Sequence, residues 1–293
     1  MPSLIVAAFY KFADLPDYIS LREPLRAACE QAGICGSILL AAEGINGTIA
    51  GSRAGIDSVL DWLRSDARLA DLEHKESTAA TAPFQRLEIK LKREIVSMGV
   101  PETNPALSVG EYLDPEQWDA LTADPEVLVI DTRNDYEVKL GQFDGAVAPG
   151  TQHFREFPDY VQRELANDKQ RPIAMYCTGG IRCEKATAYL RDQGFEQVYH
   201  LHGGILKYLE TVPAERSRWH GECYVFDERV AVSHGLQQGS ALQCDGCGQP
   251  LTTEEQQSPA FEPGICCPHC KSSLDSERRA SLEMRRSQKA GGN

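Results

Sequence analysis

One stretch, Tyr176-Cys177-Thr178-Gly179-Gly180-Ile181-Arg182-Cys183, narrows the choice of fold more than any other part of the chain. It lies between an apolar run, Pro172-Ile173-Ala174-Met175, and a segment with helical spacing from Glu184 to Gln193. A strand that ends on a cysteine, turns through two glycines and enters a helix places one sulfur in a ring of unpaired backbone N–H groups. Those amides and the positive end of the helix dipole stabilise negative charge at Cys177, and Arg182 adds a permanent cation. The thiol is therefore expected to titrate below the value near about 8.5 of a free cysteine. Gly179 and Gly180 permit the positive φ that turning the amides inward requires. The alternative for such a residue is an inert, buried cysteine in a tight turn.

Neighbouring segments agree with a layered α/β unit. Glu126-Val127-Leu128-Val129-Ile130 suits a parallel strand covered on both faces, and Asp131-Thr132-Arg133 stands at its carboxyl end, where chemistry gathers in open α/β sheets. Asp131 or Arg133 either neighbours the thiolate or belongs to a salt-bridge network that fixes the strand-to-helix turn; Glu137 falls in the same run. Phe154 to Leu165 reads as a helix, Val198-Tyr199-His200-Leu201 as a strand, and Gly203-Gly204-Ile205 as the start of a helix through Leu209. His200 and His202 are candidates for a base or proton carrier, against the plainer reading of structural histidines. Cys183 either resolves an oxidised Cys177 or is the first packed residue of its helix. Trp219 to Val232 reads as a strand and a turn, with Cys223 buried.

Ahead of this unit, Leu4 to Phe12 reads as a buried strand, Tyr18 to Gln31 as a helix ending at Gly33, and Ile34 to Ala42 as a second strand. Glu43-Gly44-Ile45-Asn46-Gly47 suits a hairpin turn into a third strand, Thr48-Ile49-Ala50. Ile56, Val59, Leu60 and Leu63 mark a second helix, and Leu87-Glu88-Ile89-Lys90-Leu91 alternates as a strand does. Strand-helix-strand-strand-helix-strand is the ferredoxin-like α+β order. Arg86, Lys90, Lys92 and Arg93 form either an RNA-facing surface, with Glu43 and Asn46 nearby, or a solvated strand face.

A chain of 293 residues suggests two or three domains, and five of its ten cysteines crowd between Cys244 and Cys270. The Met1-Pro2-Ser3-Leu4 start lacks a basic secretory region, and no apolar run nears the ~20 residues of a membrane span. A cytoplasmic location is expected, where such cysteine spacing means metal or redox chemistry. Cys244-x-x-Cys247 and Cys267-x-x-Cys270 fit a tetrahedral thiolate site with every position filled, hence a structural zinc; Cys266 and His269 are further potential ligands. Arg278, Arg279, Arg285, Arg286 and Lys289 make the tail the most basic stretch, either a phosphate clasp or a solubilising end. The formal net charge of −13 argues against sequence-blind nucleic-acid binding but leaves room for a local basic patch. The expected division is an N-terminal domain over 1–97, a proline-containing linker over 98–110, an α/β domain over 111–215, a zinc-binding region over 216–275 and a flexible basic tail over 276–293.

The loop from Cys177 to Cys183 resembles the active-site loop of the rhodanese superfamily. Arg182, five positions after Cys177, matches the sulfurtransferases there rather than the related cysteine phosphatases, whose arginine stands one position further along. The longer string from Tyr176 to Lys185 resembles the rhodanese-domain tRNA uridine hydroxylases, and so do Glu43 to Gly47 and Gly221 to Val230. The resemblance implies an α/β multi-domain protein with a rhodanese-like domain built on a parallel sheet. It implies oxygen-dependent hydroxylation of the wobble uridine at C5, with dioxygen as co-substrate and the tRNA anticodon region as partner. Cys177, Arg182 and Cys183 would then be catalytic, with Thr178, Gly179, Gly180 and Ile181 forming the active-site loop. The chemistry expected is attack of the Cys177 thiolate on uracil C6, with the loop amides and Arg182 stabilising the enolate. No organic cofactor fingerprint, membrane association or protein partner is evident. Two other classes remain open: a sulfurtransferase carrying a persulfide on Cys177, and a non-enzymatic binding module.

Overall fold

The computed structural model describes residues 4–291, and side chains as far as residue 288, so the charge of Lys289 lies outside the described residues. The N-terminal domain runs β1 (Leu4–Phe12), α1 (Tyr18–Gln31), β2 (Cys35–Ala41), β3 (Gly44–Gly51), α2 (Arg53–Arg64), β4 (His74–Ala79) and β5 (Leu87–Leu91). Its single sheet has the order β4-β1-β3-β2-β5, antiparallel except that β5 runs parallel to β2. The ferredoxin-like arrangement is present, but β4 closes it, and the expected closing strand, Leu87–Leu91, is a fifth strand on the opposite edge. His74-Lys75-Glu76-Ser77-Thr78-Ala79 is an edge strand whose side chains are mostly half-buried, so no apolar alternation announces it. The hairpin also differs from expectation. Ala41 pairs with Gly44, leaving Ala42-Glu43 as the turn and Gly44 to Gly47 inside the strand. Gly44 has φ +143°, and a Cβ there would lie 2.0 Å from the Lys11 carbonyl oxygen, so close strand approach is what requires it.

Period-2 alternation sends Ala7, Phe9, Ile38, Leu40, Ile45 and Ile49 into a core shared with α1 and α2. The other face of the sheet, with Ala8, Tyr10, Leu39, Asn46, Thr48 and Lys75, lines a cleft.

The central domain holds β6 (Glu111–Leu113), α3 (Pro115–Thr122), β7 (Leu128–Asp131), α4 (Asp135–Val138), β8 (Gly141–Phe143), α5 (Phe157–Tyr160), β9 (Ile173–Tyr176), α6 (Ile181–Asp192), β10 (Val198–Leu201) and α7 (Gly204–Thr211). β6, β10, β9 and β7 form a parallel sheet in that order. One face packs on α6 and the α5 region through Met175, Cys183, Ala186, Tyr189 and Phe157; the other packs on α3 and α7 through Trp118, Tyr176, Ile205 and Tyr208. The expected helix over 154–165 is there, α5 being flanked by a 3-10 turn, Phe154–Glu156, and a π turn, Val161–Leu165.

Trp219 to Val232 supplies β11 (Trp219–Gly221), which pairs with β8, and the hairpin of β12 (Cys223–Tyr224) with β13 (Ala231–Val232); Cys223 is buried as expected. A last unit contains β14 (Leu242–Gln243), β15 (Pro250–Leu251), α8 (Thr253–Gln256) and α9 (Ser276–Gly291). Leu282 of α9 is buried beside the cysteines of this unit, and Arg279 and Arg286 pair with Glu262, so much of the basic stretch is used to dock the helix.

Candidate active site

β9 delivers Cys177 to the floor of the loop and α6 begins at Ile181. Gly180 has φ +105°, and a Cβ there would stand 2.7 Å from the Tyr10 hydroxyl, so glycine serves both the left-handed turn and the approach of the N-terminal sheet. Gly179, expected to share that role, does not take a positive φ. The Gly180 N–H donates to Cys177 Sγ at 3.1 Å. The N–H groups of Ile205 and Leu206, in the first turn of α7, donate to the Cys177 and Thr178 carbonyls at 3.0 Å each and pin the loop from its far side.

Burial alone would raise the Cys177 thiol. A hydrogen bond from the Cys183 thiol, the Arg182 charge, and the N–H groups of Cys183 and Gly180 outweigh burial and lower it to about 5. Cys183 moves the other way: burial and the adjacent negative sulfur push it well above the ordinary thiol range, so it keeps its proton and donates it. Thr132 Oγ1 lies 3.5 Å from Cys183 Sγ. Arg182 is a paired cation. It forks onto Glu137 at 2.6 and 2.7 Å and reaches Thr178 Oγ1 at 3.3 Å. Burial would raise the Glu137 carboxyl, and the Arg182 charge holds it below its ordinary value.

Of the other candidates, Asp131 and Arg133 form the structural network. They are buried together at 2.6 Å, and Arg133 also donates to the Gly141 carbonyl and lies 5.0 Å from the centroid of the Trp219 ring. Glu137, from the same run, is the member that reaches the loop. His200 is buried with both ring nitrogens unpartnered, and burial pushes it down to about 3, which keeps it neutral. His202 is half-exposed, 3.5 Å from Glu73, and neither histidine lines the cleft.

The N-terminal domain completes the site, a contribution the sequence reading missed. A cleft of about 660 Å³ is lined by the outer face of its sheet, by Cys177 to Gly179 with Ile181 and Arg182, and by Phe226 and Arg229 from the turn between β12 and β13. Tyr10 donates to Glu184 at 2.7 Å, and Lys75 Nζ donates to the Gly179 carbonyl at 3.1 Å. Burial raises the Glu184 carboxyl and lowers the Lys75 ammonium. Neither Tyr10 nor Lys75 stands in a recognisable motif; only the sheet's placement brings them to the sulfur.

The second sulfur cluster lies in the last unit. Cys244, Cys247, Cys267 and Cys270 have their Sγ atoms all within 4.8 Å of one another, with close edges of 3.7 and 3.8 Å. A tetrahedron with zinc–sulfur bonds near 2.3 Å has sulfur–sulfur edges of about 3.8 Å; three edges here match that length, and the four sulfurs are close enough to hold a zinc-sized ion. Cys266 instead points to the Ala260 carbonyl, and His269 is held by Glu255 at 2.6 Å, so neither belongs to the cluster.

Comparison with known proteins bears on the whole chain. The UPF0176 acylphosphatase like domain matches residues 4–95, and the rhodanese-like domain matches residues 114–211. A protein of Sinorhizobium medicae (strain WSM419) named tRNA uridine(34) hydroxylase is 55% identical over 275 residues, covering 94% of this chain and 87% of that one. One of the same name from Agrobacterium fabrum (strain C58) is 55% identical over 284 residues, covering 97% of this chain and 90% of that one. The chain belongs to the tRNA uridine(34) hydroxylase family. Among solved structures, the rhodanese-like domain of an Anabaena sp protein is 25% identical and covers 38% of this chain and 78% of that one, at a TM-score of 0.31, too low to bear on geometry.

Two of the strings by which the sequence resembles this hydroxylase family meet in space. Lys185, two residues after Cys183, is wholly buried with Nζ 2.7 Å from Glu43 and 2.7 Å from Glu94. Glu43 also accepts the Ile95 N–H at 2.7 Å, and Asn46 donates to the Ile95 carbonyl at 3.0 Å. Glu43 and Asn46, whose role the sequence left open, thus hold the end of the N-terminal domain against the helix behind the reactive loop. Arg86 and Lys90 pair with Glu88 on the outer strand, and none of Arg86, Lys90, Lys92 and Arg93 lines the cleft. No helix among the described residues is long and apolar enough to cross a membrane.

Proposed function

We propose that this chain is a cytoplasmic enzyme that hydroxylates C5 of the wobble uridine (position 34) of tRNA, giving 5-hydroxyuridine and consuming dioxygen, with Cys177 as the nucleophile. One observation carries the reading: an acidified sulfur forms the floor of a cleft whose opposite wall is an open β-sheet face. About 660 Å³ accommodates a base turned out of the anticodon loop. Phe226 is exposed at the rim, 6.0 Å from the Arg182 guanidinium, and offers a face on which a base stacks. Lys75 and Arg155 on the cleft wall add positive charge for the phosphates of an otherwise acidic chain.

Chemically, uracil is electrophilic at C6. Addition of the Cys177 thiolate there moves electron density to C5 and O4, and the loop amides together with the Arg182 field stabilise the resulting enolate. Dioxygen then meets an electron-rich C5. The four-cysteine cluster holds a structural zinc that keeps the C-terminal unit folded.

Mass analysis of tRNA nucleosides from cells with and without the protein tests the reading. The 5-hydroxyuridine peak should vanish without the protein and with Cys177→Ala in its place; an unchanged peak removes the assignment. The five-position spacing of Arg182 also suits a persulfide carrier. Turnover of thiosulfate with cyanide by the purified protein, with tRNA left unaltered, would move the conclusion to sulfur transfer.

A further inference from the structure

We propose that Cys177 and Cys183 together supply the two electrons that hydroxylation consumes, passing from dithiol to disulfide in each turnover; this rests on the hydroxylase reading above. Inserting one atom of dioxygen into the C5–H bond leaves the other atom to become water, which takes two electrons and two protons. Two thiols hold that number. They close the two ends of the loop, and both are buried in the same packed cluster with Met175 and Ala186. A cysteine kept only for packing needs no polar neighbours. Cys183 has one in the Thr132 hydroxyl, 3.5 Å from its sulfur, and shares its buried cluster with Cys177.

The steps balance as follows. Cys177 Sγ bonds to C6, dioxygen bonds to the C5 carbanion, and a proton completes a C5 hydroperoxide. The Cys183 thiol attacks the distal oxygen; the O–O bond breaks, C5 keeps a hydroxyl group, and the Cys183 sulfur is oxidised to a sulfenic acid. Loss of the C5 proton expels Cys177 from C6 as a thiolate and leaves 5-hydroxyuridine. That thiolate attacks the Cys183 sulfur, the S–O bond breaks, and with one proton the oxygen leaves as water. In sum, uridine, dioxygen and two thiols give 5-hydroxyuridine, water and one disulfide. A small dithiol reductant then restores the pair by exchange. The complete burial of Cys183 suits this order, because the oxygen it reduces arrives on the carbon next to the one bonded to Cys177, and no free oxidant need reach the Cys183 sulfur itself.

A single-turnover experiment decides the matter. The full-length protein is reduced, freed of reductant, mixed with tRNA under nitrogen and then exposed to oxygen. The expected result is about one 5-hydroxyuridine per chain, loss of two titratable thiols, and a Cys177–Cys183 disulfide in the digested protein; added dithiothreitol should restore many turnovers. Cys183→Ala should still trap tRNA containing 5-fluorouridine on Cys177, yet its yield of 5-hydroxyuridine should fall at least tenfold. Hydroxylation with all thiols retained in the wild-type protein, or full turnover by Cys183→Ala, overturns the dithiol role and leaves the hydroxylase reading standing. No hydroxylation even with dithiothreitol present sinks the hydroxylase reading, and the dithiol role falls with it.

Discussion

The loop at the head of α6 and the knuckle in the last unit are both sulfur clusters on short turns, yet they hold their charge by opposite means. In the loop, one sulfur carries the charge. Cys177 is served by N–H donors, by a neighbouring thiol that keeps its own proton, and by Arg182, whose charge is balanced by Glu137. In the knuckle, four sulfurs lie within 4.8 Å of one another, three of their edges at 3.7 to 3.8 Å, and as thiolates around one centre they would repel one another without a cation between them. Donors aimed at a single sulfur beside a cleft leave it free to react. A closed tetrahedron spends every sulfur on holding the chain together. The difference lies in what surrounds the sulfur, since a cysteine pair closes a short turn in both places.

The contrast can be broken most decisively at Cys177. Cys177→Ser should lower 5-hydroxyuridine formation roughly 10³-fold or more, the scale of a lost nucleophile, while the melting temperature stays put. Retained activity would mean that the loop, like the knuckle, is only structural. Glu137→Gln comes next. It leaves the Arg182 guanidinium buried without its counter-charge, and should cost about 3–5 kcal/mol in urea unfolding together with most of the activity; a wild-type midpoint would show that the pair does not organise the loop. A subtler probe is the alkylation of Cys177 by iodoacetamide as a function of pH. A lowered thiol is ionised above its pKa, so the rate should stay flat from neutrality down to about 5 and then fall tenfold per pH unit. A midpoint near about 8.5, that of a free cysteine, would erase the distinction between the clusters. The smallest effect on the loop is expected from stripping the knuckle with a chelator. One zinc per chain should be released and the C-terminal unit should become sensitive to protease, with Cys177 alkylation changed by less than about twofold. A large change would show that the two clusters are coupled.

What could be read along the chain, and what could not, divides on the same line. The Cys177 loop was legible because its parts lie within seven residues, and β9, two glycines, Arg182 and α6 are adjacent in sequence. The four-cysteine set was legible for a similar reason, each half being a three-bond turn chemistry that spacing reports. β4 was not legible, because an edge strand beside a cleft buries too little on either face to alternate. Glu137 lay in view but without its partner, 45 positions away in Arg182. Tyr10 and Lys75 gave no signal at all, since they meet the loop across 174 and 104 positions.

By itself, then, the sequence determined the local units: the strand-turn-helix that acidifies one sulfur, the metal-sized cysteine spacing, and most helices and strands. Those follow from backbone geometry and side-chain periodicity over a few residues. Only the tertiary structure decided that the open face of the N-terminal sheet would roof the thiolate, that Lys185 would be clamped between Glu43 and Glu94, and that Cys183 would lie against Cys177 and Thr132. Such contacts arise when buried charges find partners and apolar faces find cover. That choice is made by the whole packed chain and leaves no periodic trace in any one segment of it.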